Sequence, residues 1–511
     1  MTDREMAPEA GDVATVTIPL DPTGAPGLDE VLGGGIQRGS LAIIAGPPGS
    51  GKTILAHQIA FAAARAGRRT VVLTAFSEPT NKLLAHMRPF AFFDQDLLGQ
   101  TLEVFSAQQF LRDGLLAATE GIIAALRAAR AELVILDGFR GVREMSTSPD
   151  EERHFIYELS NRLNLLGVTL LLTSEAHVRD MAFFPEATSA DVLVGLEFEI
   201  LGTRERRTLE VLKVRGTAPL PGRHTLSLSD VGMRVYPRLE AQVARQASAG
   251  GAPGAGGLDL AAGAGERAQM EAGNTPLASG IPGLDALIGG GLAQGSASLV
   301  TGGRGAGKTL LGLQFALQGA APGASSVFVS FRETEEQLRR LGAPFRWGEA
   351  LERALATGTL TVARALPVEL RADIFAAELL ALLDARQAQR LVVDGIDALE
   401  RMLYASEFDR RLPDYLAALV ETLRVRGVAS LLTFLADAET RANLSERLGP
   451  AAGCVENLMW LRRDACGERD LTVCASGRPA ALDGRRPFTI REPEGVVVGS
   501  QARDPDQGGE Q

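Results

Sequence analysis

Gly46-Pro47-Pro48-Gly49-Ser50-Gly51-Lys52-Thr53 decides how this chain is read, and Gly302-Gly303-Arg304-Gly305-Ala306-Gly307-Lys308-Thr309 repeats it. Each stretch follows a short apolar run, Leu41-Ala42-Ile43-Ile44 or Ala297-Ser298-Leu299-Val300. Each precedes a helix-like segment, from Ile54 or from Leu310. Strand, glycine-rich loop and helix is the context that makes G-x-x-x-x-G-K-[ST] a phosphate cradle. Glycines let successive backbone N–H groups turn inward around phosphate oxygens. The helix N-terminus adds a positive field. Lys52 and Lys308 are positioned to reach the β- and γ-phosphates of ATP, and the Thr53 and Thr309 hydroxyls to ligate Mg2+.

Working outward, the two cradles belong to a duplication. Pro26-Gly27-Leu28-Asp29 stands ahead of the first as Pro282-Gly283-Leu284-Asp285 stands ahead of the second, at the same interval from the lysine. After each P-loop helix comes an apolar run, Arg69 to Phe76 and Ser326 to Phe331, ending beside Glu78 and Glu333. Leu133-Val134-Ile135-Leu136-Asp137 and Leu391-Val392-Val393-Asp394 follow. A buried strand ending in aspartate is the second half of a P-loop site, so Asp137 and Asp394 complete the expected Mg2+ sites. Between these runs, Leu111, Leu115, Ile122 and Leu126 predict one long helix over 107–129. Val168–Thr173 and Val428–Thr433 read as further strands, and β-rich segments (Val192–Leu201, Thr208–Val214 and His224–Tyr236 in the first half) close each half.

Strands alternating with helices predict an α/β fold with two tandem RecA-like P-loop domains, each a mostly parallel sheet flanked by helices. The expected boundaries are a disordered lead-in over 1–15, domains over 16–240 and 275–499, an Ala/Gly-rich linker over 241–274 and a disordered tail over 500–511.

Composition narrows the function. The formal net charge of −11 argues against a dedicated nucleic-acid binder. No stretch approaches the roughly 18 apolar residues of a membrane span, and Met1-Thr2-Asp3-Arg4-Glu5 lacks a signal core. A cytoplasmic protein is expected. The three cysteines, Cys454, Cys466 and Cys474, match no zinc spacing and suit a reducing compartment.

With these motifs in place the chain resembles the KaiC-like ATPases, a bacterial and archaeal family of RecA-type proteins that includes the tandem ATPase of the cyanobacterial clock. Arg206-Arg207-Thr208-Leu209-Glu210-Val211-Leu212-Lys213-Val214-Arg215-Gly216-Thr217 is the most telling match. The resemblance implies a ring, usually a hexamer, in which Lys213 and Arg215 enter the neighbouring subunit's nucleotide site. It also implies a regulatory protein partner for a nucleotide-dependent switch. Three departures stand out. The family usually carries two adjacent glutamates where this chain has Ser77-Glu78 and Arg332-Glu333, leaving Glu78 and Glu333 to orient water and implying slow hydrolysis. Ala475-Ser476-Gly477, followed by Arg478, replaces the basic pair in the second half. Ala452 and Gly453 occupy the places of the family's phosphorylated Ser-Thr pair, which argues against autokinase activity.

Overall fold

The computed structural model describes residues 19–74, 80–112, 114–177, 185–201, 203–249, 276–321, 323–368, 370–403, 411–436, 453–464, 466–476 and 485–499. The chain divides into two compact units between Pro237 and Arg238.

In the first unit a short antiparallel pair, β1 (Leu20–Asp21) and β2 (Ile36–Gln37), precedes the main sheet. The strands of that sheet are β3 (Leu41–Ala45), β4 (Thr70–Thr74), β5 (Leu102–Ser106), β6 (Leu133–Asp137), β7 (Thr169–Ser174), β8 (Val192–Leu201), β9 (Arg204–Val214), β10 (Arg223–Ser229) and β11 (Gly232–Tyr236). Their spatial order is β5-β4-β6-β7-β3-β8-β9-β10-β11. Pairing is parallel from β5 to β8 and antiparallel from there to β11.

The second unit repeats this with β12 (Ala297–Gly302), β13 (Ser325–Ser330), β14 (Leu360–Arg364), β15 (Ala388–Asp394), β16 (Ala429–Leu435), β17 (Asn457–Arg463), β18 (Arg469–Ala475), β19 (Arg485–Arg491) and β20 (Gly495–Val498). The order is β14-β13-β15-β16-β12-β17-β18-β19-β20. Both units are thus mostly parallel, helix-flanked sheets of the expected class.

The central strands are apolar along their length because both faces are covered. Every residue of β3 and β4 is buried. On one side of the first sheet the core gathers Ile122, Leu126, Phe155, Leu159 and Leu163 from helices Leu115–Ala129 and Pro149–Leu165. The P-loop helix Lys52–Arg65 buries Leu55, Ile59 and Phe61 and packs against β4, β6 and β7. In the second sheet, alternate residues serve opposite faces. Leu391 and Val393 of β15 join one core cluster, and Val392 between them joins the other.

Two expectations are corrected here. The long helix over 107–129 is two helices, Gln108–Leu111 and Leu115–Ala129, because Gly114 takes φ 92° and turns the chain between them. Residues 241–249 of the expected linker are helical instead. Leu239–Ala249 is a helix of the second unit, packed on helix Leu412–Val425, with Leu239 in the same core cluster as Leu412, Leu416 and Leu419. The lead-in over 1–15, the tail over 500–511 and the linker from 250 to 274 lie outside the described residues.

Arg411 fastens this helix. Its Nη2 donates to Glu240 Oε2 at 2.7 Å and its Nη1 to Asp373 Oδ2 at 3.2 Å. Asp373 is only 3% exposed. Removing the guanidinium would strand a buried carboxylate, so Arg411→Ala should destabilise the second unit by about 3–5 kcal/mol in urea unfolding. Burial alone would raise the Glu240 carboxyl; the Arg411 hydrogen bonds and charge outweigh it and hold Glu240 below the usual carboxylate range. A depressed folded pKa contributes stability above the unfolded value that is lost as pH falls through the folded one. Acid unfolding of the second unit should therefore steepen below about pH 4.5, and Glu240→Gln should remove that component.

Candidate functional site

The loops after β3 and β12 are shaped by glycines that tolerate no side chain. A Cβ on Gly46 would lie 2.4 Å from the Leu196 carbonyl oxygen, and one on Gly302 2.3 Å from that of Leu461. Gly51 and Gly307, at φ 102° and 108°, turn each loop into its helix, which starts at Lys52 or Lys308. Pro48, Gly49 and Ser50 complete the first turn, and Gly303, Arg304, Gly305 and Ala306 the second.

Each lysine folds back over its loop. Lys52 Nζ donates to the carbonyls of Gly46 (2.8 Å) and Pro47 (3.0 Å). Lys308 Nζ donates to those of Gly302 (2.7 Å) and Gly303 (2.8 Å). Burial lowers the pKa of both, opposed by Glu175 and Asp137 at the first and by Asp394 and Asp397 at the second. A desolvated ammonium held over a ring of backbone N–H groups is matched to a polyphosphate.

The strand order brings each loop to its aspartate. Thr53 Oγ1 donates to Asp137 Oδ1 at 3.3 Å, and Thr309 Oγ1 to Asp394 Oδ2 at 2.7 Å. A second threonine, on the strand between, holds the same carboxylate: Thr173 to Asp137 at 2.6 Å, and Thr433 to Asp394 at 2.5 Å. Each of these hydroxyls also accepts from the backbone N–H after the aspartate, Gly138 at 2.7 Å or Gly395 at 2.8 Å. Burial raises the Asp394 carboxyl, against the Thr433 and Thr309 hydrogen bonds. Among the described residues no group of three or more His, Cys, Asp or Glu is placed to hold a metal. A hydroxyl and one carboxylate do fit Mg2+, which keeps water and phosphate oxygens as its other ligands.

The remaining candidates are distributed unevenly. Glu78 lies outside the described residues. Glu333 Oε2 accepts from Ser330 Oγ at 2.9 Å, and its N–H donates to the same oxygen at 2.9 Å, so it is held at the end of β13. Glu175, which no local motif announces, follows β7, bonds Arg140 (3.2 Å) and acts on Lys52. Its counterpart is Leu435, since Ser174 lies opposite Ala45 as Phe434 lies opposite Thr301.

Lys213 and Arg215 are not brought to their own cradle. β9 runs antiparallel, and Val214 lies opposite Val192, which faces Ala42 near the start of β3; the P-loop follows the end of β3. Lys213 Nζ donates to the Thr188 carbonyl (3.1 Å), and Arg215 pairs with Asp191 (3.2 Å). Burial and Arg215 lower the Lys213 pKa. Leu193 faces Lys213 and Leu458 faces Ala475, so the second unit has alanine at the lysine's place. Gly477 and Arg478 lie outside the described residues, as does Ala452.

A family model described as "ATPase: KaiC" matches residues 21–240 and again 277–503. The chain belongs to the KaiC ATPase family. It is 26% identical over 390 residues to the circadian clock oscillator protein KaiC of Rippkaea orientalis, covering 73% of this chain and 69% of that one. It is 27% identical over 395 residues to the protein of the same name in Thermostichus vulcanus, covering 74% and 70%. To KaiC 1 of Synechocystis it is 25% identical over 393 residues, covering 73% and 69%. Among the described residues no helix is long and apolar enough to cross a membrane.

The KaiC-family site makes the intervening threonine testable. Thr433→Val should weaken Mg2+-dependent nucleotide binding at the second site by about 10–100-fold, as loss of an outer-shell partner does. Titration of a fluorescent nucleotide with Mg2+ and with EDTA checks this: the loss should appear only with Mg2+.

Proposed function

We propose that this chain is a ring-forming ATPase whose two cradles bind ATP with Mg2+, and whose slow turnover switches the binding of a regulatory protein partner. The observation that carries it is the twice-built constellation of lysine, threonine and strand-end aspartate in one register. Lys52 and Lys308 take the phosphates; Thr53 with Asp137, and Thr309 with Asp394, take the metal. Glu78 and Glu333 orient the attacking water. ATP supplies the phosphoryl group, and the protein contributes position and charge.

Lys213 and Arg215 act on the neighbour's nucleotide, which makes a ring necessary, and a hexamer is the assembly that the family resemblance favours. Their placement at the end of the sheet opposite their own P-loop supports action in trans. The first unit, which keeps Lys213, is the better hydrolase. The acidic balance of −11 disfavours a nucleic-acid substrate, and a cytoplasmic location suits an ATP-dependent switch. Autophosphorylation is disfavoured because Ala452 and Gly453 carry no hydroxyl.

Phosphate release tests the reading. Lys52→Ala should remove most of the release, Lys308→Ala the smaller part, and the double variant all of it. Release unchanged in the double variant would end the ATPase reading. Lys213→Ala should lower release by about tenfold or more while leaving ATP bound, as loss of a trans cation does. A chain that stays monomeric with ATP in native mass spectrometry would contradict the trans role.

A further inference from the structure

Lys213 is held from one side by a short helix. Its Nζ donates to the Thr188 carbonyl at 3.1 Å and to that of Ala187 at 3.5 Å. Both carbonyls belong to the helix Pro185–Ser189, which leads into β8. Glu186, the residue before Ala187, is wholly buried. Its Oε1 accepts from Arg143 Nη2, and from Ser174 Oγ at 3.2 Å. Arg143 Nη2 also reaches Ser174 Oγ at 3.4 Å, and its Nε lies 3.7 Å from Glu152 of helix Pro149–Leu165. Ser174 ends β7, and its carbonyl accepts from the N–H of Gly46, the first residue of the P-loop, at 3.1 Å. A continuous chain of contacts therefore runs from the first cradle, through Ser174 and Glu186, to the carbonyls that hold Lys213.

Packing alone is a poor account of this clamp. Burying an ion pair costs desolvation that its own attraction often only balances. Here two carboxylates, Glu152 and Glu186, share one guanidinium, and among the described residues Glu186 Oε2 has no hydrogen-bond partner. The second unit supplies a comparison within the same chain. Ser174 faces Ala45 as Phe434 faces Thr301, so a phenylalanine stands at the place of the serine. Glu400 follows Asp394 at the interval at which Arg143 follows Asp137, so an acid stands at the place of the arginine. The unit without that serine and arginine is also the one with Ala475 at the place of Lys213. The clamp residues and the lysine are kept together or lost together.

We propose that Arg143 and Glu186 are positioning residues for Lys213: through the helix Pro185–Ser189 they set where its ammonium stands when it enters the neighbouring subunit's nucleotide site. Glu186, Ala187 and Thr188 are consecutive in that helix, so fixing the carboxylate fixes the two carbonyls. The Ser174 that anchors Glu186 also frames this subunit's own P-loop. A shift of that loop on binding ATP is thereby passed to the lysine that the subunit lends its neighbour. A catalytic group misplaced by about 1 Å costs on the order of a hundredfold in rate. The inference rests on the proposal that Lys213 acts in trans.

The experiment uses the full chain with Lys308→Ala, so that phosphate release reports the first site. Glu186→Gln should lower release at saturating ATP by about tenfold or more and leave the affinity for a fluorescent ATP analogue unchanged. Arg143 keeps Glu152 in that variant, so no guanidinium is stranded. The deciding comparison adds Lys213→Ala, in whose presence Glu186→Gln should cause no further loss, because the two act as one unit. General damage to the fold would instead add to the loss from Lys213→Ala. Ser174→Ala removes only a hydroxyl; it should lower release less, and it carries the same comparison if Glu186→Gln melts early. Full release from Glu186→Gln and Ser174→Ala, or an equal loss with and without Lys213, overturns the clamp; a slow Lys213→Ala chain then leaves the trans reading standing. Release unchanged by Lys213→Ala overturns the trans reading and the clamp with it.

Discussion

The hydrogen bond from the P-loop threonine to the strand-end aspartate is the constraint on which the rest of each unit depends. Thr53 and Thr309 open the helices that follow β3 and β12, whereas Asp137 and Asp394 end β6 and β15, each one strand removed from β3 or β12 in the sheet. They meet only if three parallel strands end at the same level. That level is seen in the parallel register: Ala45 lies opposite Ser174, and Leu136 opposite Leu172. The intervening strand is itself part of the contact, because Thr173 or Thr433 bridges the aspartate carboxylate to the backbone beyond it. Packing thereby fixes the position of the aspartate carboxylate beside the P-loop threonine.

Around this shared centre the two units differ in the charges they bring. Glu175 stands beside the first lysine where the second unit has Leu435. Lys213 stands at the end of the first sheet opposite the P-loop, where the second has Ala475. Duplication has kept the loop, lysine, threonine and aspartate and changed the side chains around them.

Much of this is legible in sequence because it is local. A glycine-rich loop between an apolar run and a helix, and an apolar run ending in aspartate, each declare themselves within about ten residues. The paired threonines are not legible as functional, since Thr173 and Thr433 look like any β-branched strand residue until cross-strand register sets them on the carboxylate. Arg143 and Glu186 are hidden for a similar reason: only the folded chain brings them together at Ser174. The helix Leu239–Ala249 escapes a sequence reading because its alanines, good helix formers, continue into a glycine-rich tract and merge with it into one low-complexity stretch. Its partner Arg411 lies far along the chain, so no local pattern announces the contact.

The central claim is that both cradles hold nucleotide, whatever their rates. Counting ATP bound per chain, by equilibrium dialysis with Mg2+ at saturating nucleotide, tests it most directly. Two nucleotides per chain, falling to one with either Lys52→Ala or Lys308→Ala, is the predicted result. One nucleotide per chain, unchanged by Lys308→Ala, would contradict it.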